Sequence, residues 1–181
     1  VLTAEASGIP PAITCATHLG VPMIYAKKYL GPGDRNVFAR EVVSPTRGAE
    51  YRVEIARRVL GAGMRILIVD DFLAGGRTAE ALGEIAEEAA CTVLGFGFAI
   101  AKEFTGGRRR LESHGWRVDA LVTVESLEGG AVLAAIAGGG LVGLGTHVIG
   151  GGGIGAVPST FLGVGQAFAA VTERRQIKAP V

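Results

Sequence analysis

Hydrophobic and polar positions change rhythm repeatedly along this chain, and each change marks an element. Ile66-Leu67-Ile68-Val69 is an apolar run with three β-branched residues, which suits a strand buried on both faces of a sheet. After a short glycine-bearing loop, Thr78 stands as a favourable helix N-cap for an amphipathic stretch to about residue 90. Residues 92–100 are a second apolar strand, interrupted by Gly95 and Gly97, and 118–124 a third. Upstream, 1–4 reads as a strand, Pro10-Pro11 lead a helical pattern to about Leu19, and 21–26 returns to a strand that delivers Lys27-Lys28 at its exit. Tyr51, Val53 and Ile55 alternate with polar residues, so 51–60 reads as a strand, with Gly61-Ala62-Gly63 turning the chain afterwards. Between these, 30–48 is rich in Gly, Pro, Asp, Asn and Arg around a short alternating piece at 37–43, the pattern of a mobile hairpin or lid. Residues 108–114 form a short basic helix closed by Gly115. Strands alternating with helices predict an α/β fold: a central, mostly parallel sheet flanked by helices.

Composition narrows the picture modestly. A chain of 181 residues with 49% hydrophobic and 19% charged residues predicts one globular domain with a real core. A formal net charge of +1 gives no reason to expect nucleic acid or an anionic membrane as partner, and Arg108-Arg109-Arg110 accordingly reads as a solvated helix face. Cys15 and Cys91 stand far apart without ligand-type neighbours, so both read as small buried hydrophobes of a reducing, cytoplasmic compartment. His18, at the end of the first predicted helix, needs no role beyond its favourable place at a helix C-terminus. From Gly129 to Thr172 there is no Asp, Glu, Lys or Arg, and about half of the glycines crowd there. That tail reads as an appendage or translation artefact ahead of a membrane segment, because so many glycines make a weak helix; His147 within it earns no role. The expected division is a core over 1–130 and a Gly-rich tail over 131–181. Because Val1 falls inside a predicted strand, further sequence is expected to precede it.

The chemistry concentrates where the central strand ends. Asp70 and Asp71 follow the apolar run, at the end of a parallel strand where such sheets place their ligand crevice. Ala74-Gly75-Gly76-Arg77-Thr78 then leads into a helix, and a glycine loop at a helix N-terminus can hold a phosphate on backbone N–H groups. Ribose hydroxyls or a hydrated magnesium suit the acids just behind it. A second unit of the same kind stands near the start: Glu5-Ala6-Ser7-Gly8-Ile9 between a strand and a helix, a backbone nest with Ser7 adding a hydroxyl donor. Either unit alone is equally well an ordinary strand–turn–helix; two in one short chain favour a sugar-phosphate site. Lys102, at the carboxyl end of an apolar strand, is placed to donate to a carbonyl acceptor. Phe104 either stacks on a base or packs beneath the loop, and packing is the preferred reading.

The string Asp70 to Thr78 resembles the phosphoribosyl-diphosphate (PRPP) motif of type I phosphoribosyltransferases. Its version, Asp-Asp-Phe-Leu-Ala-x-Gly-x, is most similar to the xanthine phosphoribosyltransferases. Those enzymes also carry a long polar residue where Arg77 stands, and they read Glu-Ser-Ser-Gly-Ile at the first loop, where Ala6 here replaces a serine. Lys102-x-Phe104 and Ser126-Leu127-Glu128 continue the likeness, which ends near residue 130. The resemblance implies transfer of a 5-phosphoribosyl group from PRPP to N9 of a 6-oxopurine, xanthine before guanine or hypoxanthine. It assigns the ribose hydroxyls to Asp70 and Asp71, the 5′-phosphate to Ala74, Gly75, Gly76, Arg77 and Thr78, and the purine to Lys102 and Phe104. Pyrophosphate with Mg²⁺ falls to Glu5, Ala6, Ser7 and Gly8 together with Lys28, and the region around Lys28 is implied to pack in a homodimer. The lid would keep water from the oxocarbenium-like ribose. The family also has a hood ahead of the first strand that contributes purine contacts, so the 181 residues by themselves are expected to bind PRPP but to turn over poorly. A rival reading shares fold and motif: a non-catalytic, PRPP-sensing regulator of purine genes. The Arg77 loop and the Lys102-x-Phe104 element favour the enzyme.

Overall fold

The computed structural model describes residues 1–29, 36–43, 50–127 and the strand 133–136. The rest of the expected lid and the remainder of the Gly-rich tail, with His147, lie outside the described residues. Among the described residues eight strands form one sheet: β1 (Leu2–Ala4), β2 (Ile24–Tyr29), β3 (Val37–Val43), β4 (Glu50–Ala56), β5 (Arg65–Leu73), β6 (Thr92–Lys102), β7 (Val118–Ser126) and β8 (Leu133–Ile136). Their order across the sheet is β3-β4-β2-β1-β5-β6-β7-β8. The centre, from β2 through β1, β5 and β6 to β7, is parallel, and β4, β3 and β8 join antiparallel at the flanks. The α/β sheet expected from the sequence is therefore present.

Period-two alternation along β5 explains the layering. Leu67 and Val69 pack with Ala12 and Cys15 of α1 (Ile9–Leu19). Ile66 and Ile68 share the larger core with Leu82, Ile85 and Ala86 of α2 (Arg77–Glu88) and with Phe96 and Phe98. One strand thus carries a helix on each face, which is why its sequence is apolar without alternation. Each fully buried Ile or Phe of this kind contributes about 1.5–3 kcal/mol. A short α3 (Gly107–Glu112) seats Leu111 in the same core as α2, and Trp116 packs its ring against Gly83, where a side chain would collide with it. Cys15 and Cys91 are both buried and free. His18 sits in the last turn of α1, before a left-handed Gly20 that closes the helix.

Several predicted boundaries move. β2 begins at Ile24 and runs to Tyr29, so Lys27 and Lys28 lie inside the strand, paired with Glu54 and Val53 of β4. Pro22 has no N–H to give a ladder, which delays the strand past it. β4 stops at Ala56, and Arg57–Val59 form a single 3₁₀ turn instead of a longer strand. The two acids are not beyond β5 but within it, since backbone pairing with β6 continues from Asp70 opposite Phe98 to Leu73 opposite Ala101.

Candidate active site

The acid pair is the centre of the site. The Asp71 N–H donates to Asp70 Oδ1 at 2.9 Å, and Ser7 Oγ donates to Asp71 Oδ1 at 3.1 Å, tying the first loop to β5. Burial, more than any other cause, pushes the Asp70 carboxyl from an ordinary 3.8 up to about 7. The Asp71 carboxyl adds to the rise, and the Asp71 N–H and the Lys28 charge oppose it. Near neutral pH Asp70 therefore stands close to the midpoint of its titration, a property common among carboxyl groups that act on a ligand.

Two residues later the chain enters the second loop. Gly76 adopts φ +77°, a left-handed conformation that glycine takes without strain, and α2 starts at Arg77. Gly76, not Thr78, is therefore the N-cap. Thr78 lies in the first turn, and its Oγ1 hydrogen-bonds Tyr51 Oη from β4 at 2.6 Å. The first N–H groups of α2 have no intrahelical partner and are available to an anion. The Arg77 guanidinium donates to the Val43 carbonyl on β3 at 3.1 Å, so its charge secures the hairpin wall. Behind the loop stands α3. A Cβ on Gly107 would overlap the Ala74 carbonyl oxygen, and one on Gly76 would meet the Gly107 backbone at 3.0 Å. Arg110 donates from Nε to the Gly75 carbonyl at 2.9 Å while its other nitrogen pairs with Glu80 at 3.1 Å.

The first loop is held differently. The Glu5 carboxylate accepts the Lys28 backbone N–H at 2.7 Å, and the Glu5 N–H donates to the Ala26 carbonyl at 3.0 Å, so Glu5 ties the loop to β2. The Glu5–Ala6 peptide is cis. Gly8 precedes α1 with ordinary right-handed geometry, yet a side chain there would collide with Thr3 Oγ1 and Asp70 Oδ1. Lys28 lies with its Nζ 5.7 Å from the Tyr51 ring.

These elements enclose one cleft of about 310 Å³. Of the residues expected in the site, Ser7, Lys28, Asp70, Asp71 and the whole run Ala74–Thr78 line it, joined by Val42, Val43, Tyr51 and Phe72. Glu5, Ala6 and Gly8 do not line it. Lys102 and Phe104 also stand outside its lining. The Lys102 Nζ lies 5.3 Å from the ring centroid of Phe72, which does line the cleft. Phe104 is half exposed. Sequence reasoning passed over Tyr51, Gly107 and Arg110. The three arginines assigned to a solvated face in fact divide: Arg108 pairs with Glu103 and the Val118 carbonyl, and Arg110 braces the loop before α2.

Among the described residues no group of three or more His, Cys, Asp or Glu side chains is arranged to hold a metal ion. None of their helices is long and apolar enough to cross a membrane.

A parallel sheet with an acid pair at the end of its central strand, a glycine loop opening α2, and a second loop across the cleft defines a type I phosphoribosyltransferase. No family model matches the chain. It is 44% identical over 133 residues to the xanthine phosphoribosyltransferase of Pseudomonas putida strain F1, spanning 73% of this chain and 70% of that protein. The Pseudomonas fluorescens Pf-5 enzyme of the same name is 45% identical over the same shares. Among solved structures, adenine phosphoribosyltransferase from Thermoanaerobacter pseudethanolicus superimposes with a TM-score of 0.60 at 26% identity, over 67% of this chain and 68% of that one. The Saccharomyces cerevisiae adenine enzyme, crystallised with adenine, gives 0.57 at 28% identity, over 66% and 64%. The chain belongs to the xanthine phosphoribosyltransferase family.

Proposed function

We propose that this chain transfers the 5-phosphoribosyl group of PRPP to N9 of a 6-oxopurine, xanthine first, in purine salvage. The observation that carries the reading is the single cleft in which the acid pair, the phosphate loop, Ser7 and Lys28 converge. In the transfer, the bond from C1′ of the ribose to diphosphate breaks, the diphosphate leaves with the electron pair, and a new bond forms from C1′ to N9 as its proton is released. Asp70 and Asp71 accept hydrogen bonds from the ribose hydroxyls, and their negative charge favours the positive charge developing at the anomeric carbon. Backbone N–H groups of 74–78 hold the 5′-phosphate. Ser7 and the backbone of the first loop, with Lys28 as a flexible cation, hold the departing diphosphate.

Magnesium suits this donor set as a companion of the substrate. A magnesium ion would arrive with PRPP and would offset the negative charge of the leaving diphosphate, which Ser7, Lys28 and the first loop hold. Lys102 and the exposed face of Phe72 supply a place for the base, the ammonium donating to its 6-oxo group. The catalytic unit is the core over 1–130, cytoplasmic and homodimeric through the region of β2. Calorimetry with PRPP–Mg²⁺, followed by absorbance assays with xanthine, guanine, hypoxanthine and adenine, tests the reading. PRPP should bind and the 6-oxopurines should be consumed ahead of adenine. A chain that fails to bind PRPP, or that prefers adenine, overturns it.

A further inference from the structure

Thr3 is fully buried in β1, and its hydroxyl has no hydrogen-bond partner, alone in this respect among the buried side-chain polar atoms of the described residues. A buried unpaired hydroxyl is costly, and such groups in native structures call for an explanation. Its surroundings supply one. The point that a Cβ on Gly8 would occupy overlaps both Thr3 Oγ1 and Asp70 Oδ1. The two oxygens therefore border the same space, left by the missing side chain of Gly8, with the Ala4 carbonyl oxygen 3.0 Å from that point.

We propose that Thr3 is a positioning residue for Asp70: its hydroxyl is a reserve donor that engages the Asp70 carboxylate when that group is ionised, and Gly8 lacks a side chain to leave them room. The inference deepens the proposed transferase reading and rests on it only where sugar binding is concerned. The chemistry follows from donor inventories. A protonated Asp70 carries its own donor and can direct it at Asp71, leaving Thr3 idle. An ionised Asp70 is acceptor-only, with several lone-pair directions to fill and one N–H, that of Asp71, already bound. The buried Thr3 hydroxyl, which borders the same space as the carboxylate and has no partner of its own, is then an unused donor beside it. A donor in a site of low dielectric lowers the cost of the charge, which is the state the acid must hold opposite a developing cation. The other charged groups acting on Asp70 are Asp71 on its own strand and Lys28 on β2. Neither is altered by changes at Thr3.

The test uses the 181-residue chain with ¹³C-labelled aspartate, the Asp70 carboxyl signal being assigned by its loss in Asp70→Asn. Burial and Asp71 raise Asp70 to about 7 with Thr3 idle, so in the parent, where Thr3 engages the ionised group, the signal should titrate below that. Thr3→Val keeps the shape of the side chain and removes the donor, and its midpoint should rise by about half a unit or more. Thr3→Ser should return it to the parent value. Thermal melting checks that each variant is folded; should Thr3→Val not fold, Thr3→Cys, a weak donor of similar size, takes its place. A merely structural threonine moves the melting temperature and leaves the titration alone, so an unchanged midpoint in a folded variant overturns the inference. Calorimetry with PRPP–Mg²⁺ between about pH 6 and 8, around the Asp70 midpoint, then separates the two readings. Parent chain that titrates as expected but binds no PRPP sinks the transferase reading and leaves the Thr3–Asp70 pairing standing. Parent chain that binds PRPP, with Thr3→Val binding it identically at every pH, sinks the role of Thr3 in the site.

Discussion

Two strand–loop–helix units face each other across the cleft, and they are secured by different forces. The first, β1 to α1, is bound by polar side chains: Glu5 to the Lys28 N–H, Ser7 to Asp71, and Thr3 beside Asp70. The second, β5 to α2, is bound by backbone against backbone, with Gly76 and Gly107 in near contact and Arg110 reaching the Gly75 carbonyl. Polar ties respond to protonation and to ligand charge. Close backbone packing responds to volume. The first loop and the acids are therefore the adjustable half of the site, and the loop at 74–78, to which the proposed function gives the 5′-phosphate, is its fixed half.

The largest effect should come from the adjustable half. Asp70 has its carboxyl raised from 3.8 to about 7 in the folded chain, so the folded state holds this proton more tightly than the unfolded state. Its contribution to stability is fully present at low pH, falls as pH rises from about 4 to 7, and is flat above that. The whole swing is up to about 4 kcal/mol, an upper figure because partial hydration of the site softens it. Asp70→Asn should abolish this slope and melt higher than the parent at about pH 8, while losing phosphoribosyl transfer. Melting curves at about pH 5 and pH 8, on either side of the fall, measure it. Equal pH slopes in parent and variant would show that Asp70 is not the titrating group.

Next come the two crowded glycines, which break the comparison from opposite sides. Gly107→Ala sets a methyl group against the Ala74 carbonyl, and backbone cannot swing aside. Overpacking of this kind costs about 1–3 kcal/mol or more, so the melting temperature and PRPP affinity should fall together. Gly8→Ala instead presses on the ends of two side chains, Thr3 and Asp70. Because these oxygens belong to the acid and its neighbour, Gly8→Ala should disturb the titration of Asp70 and the activity along with stability, whereas Gly107→Ala should leave the titration alone. Should both variants lose stability and leave the pH profile unchanged, the distinction between the halves is wrong.

Lys102 sharpens the reading at the rim. Lys102→Ala removes the donor to a 6-oxo group and should cost about 1–3 kcal/mol of transition-state binding. The loss should be seen in kcat/KM for xanthine and much less in PRPP affinity. An unchanged preference for 6-oxopurines over adenine would remove Lys102 from the site.

How much of the site is legible in the sequence depends on the distance over which each feature is decided. The apolar run of β5 and the glycine loop are local, and the acids beside them mark a ligand site from the residue order alone. The end of the strand is less legible, because hydropathy stops at Val69 while the backbone does not. Pairing with β6 is indifferent to the carboxylates that follow, so the strand carries Asp70 and Asp71 inside it. Thr78 has the chemistry of an N-cap, but the left-handed Gly76 starts the helix first, and Tyr51 takes the free hydroxyl instead. The braces of the loop are not legible at all. Arg110 is 35 residues from Gly75 along the chain, and nothing distinguishes it from Arg108 and Arg109 beside it. Gly8 and Gly107 read as ordinary turn residues, because crowding against Thr3 or Ala74 exists only once the sheet has formed.

The smallest expected effect tests the fixed half at its outermost support. Arg110 is partly exposed, so its pairing with Glu80 is weakened by solvent and worth about 0.2–1 kcal/mol. Its Nε–H bond to the Gly75 carbonyl adds about 0.5–1.5 kcal/mol. His114 also contacts Glu80, at 2.9 Å, so Glu80 keeps a partner when the arginine is lost. Arg110→Gln should therefore lower the melting temperature only slightly and weaken PRPP binding about three- to tenfold, the range that about 0.7–1.4 kcal/mol corresponds to. Arg110→Lys restores the charge but not the fork that reaches carbonyl and carboxylate at once, so it should recover less than half of the affinity. Neither substitution should move the Asp70 titration, because Arg110 braces the loop and has no place among the groups that act on the acid. Full PRPP affinity in Arg110→Gln would mean that the glycine contacts alone hold the phosphate loop. A shifted Asp70 midpoint would mean that the two halves are coupled through the strand between them.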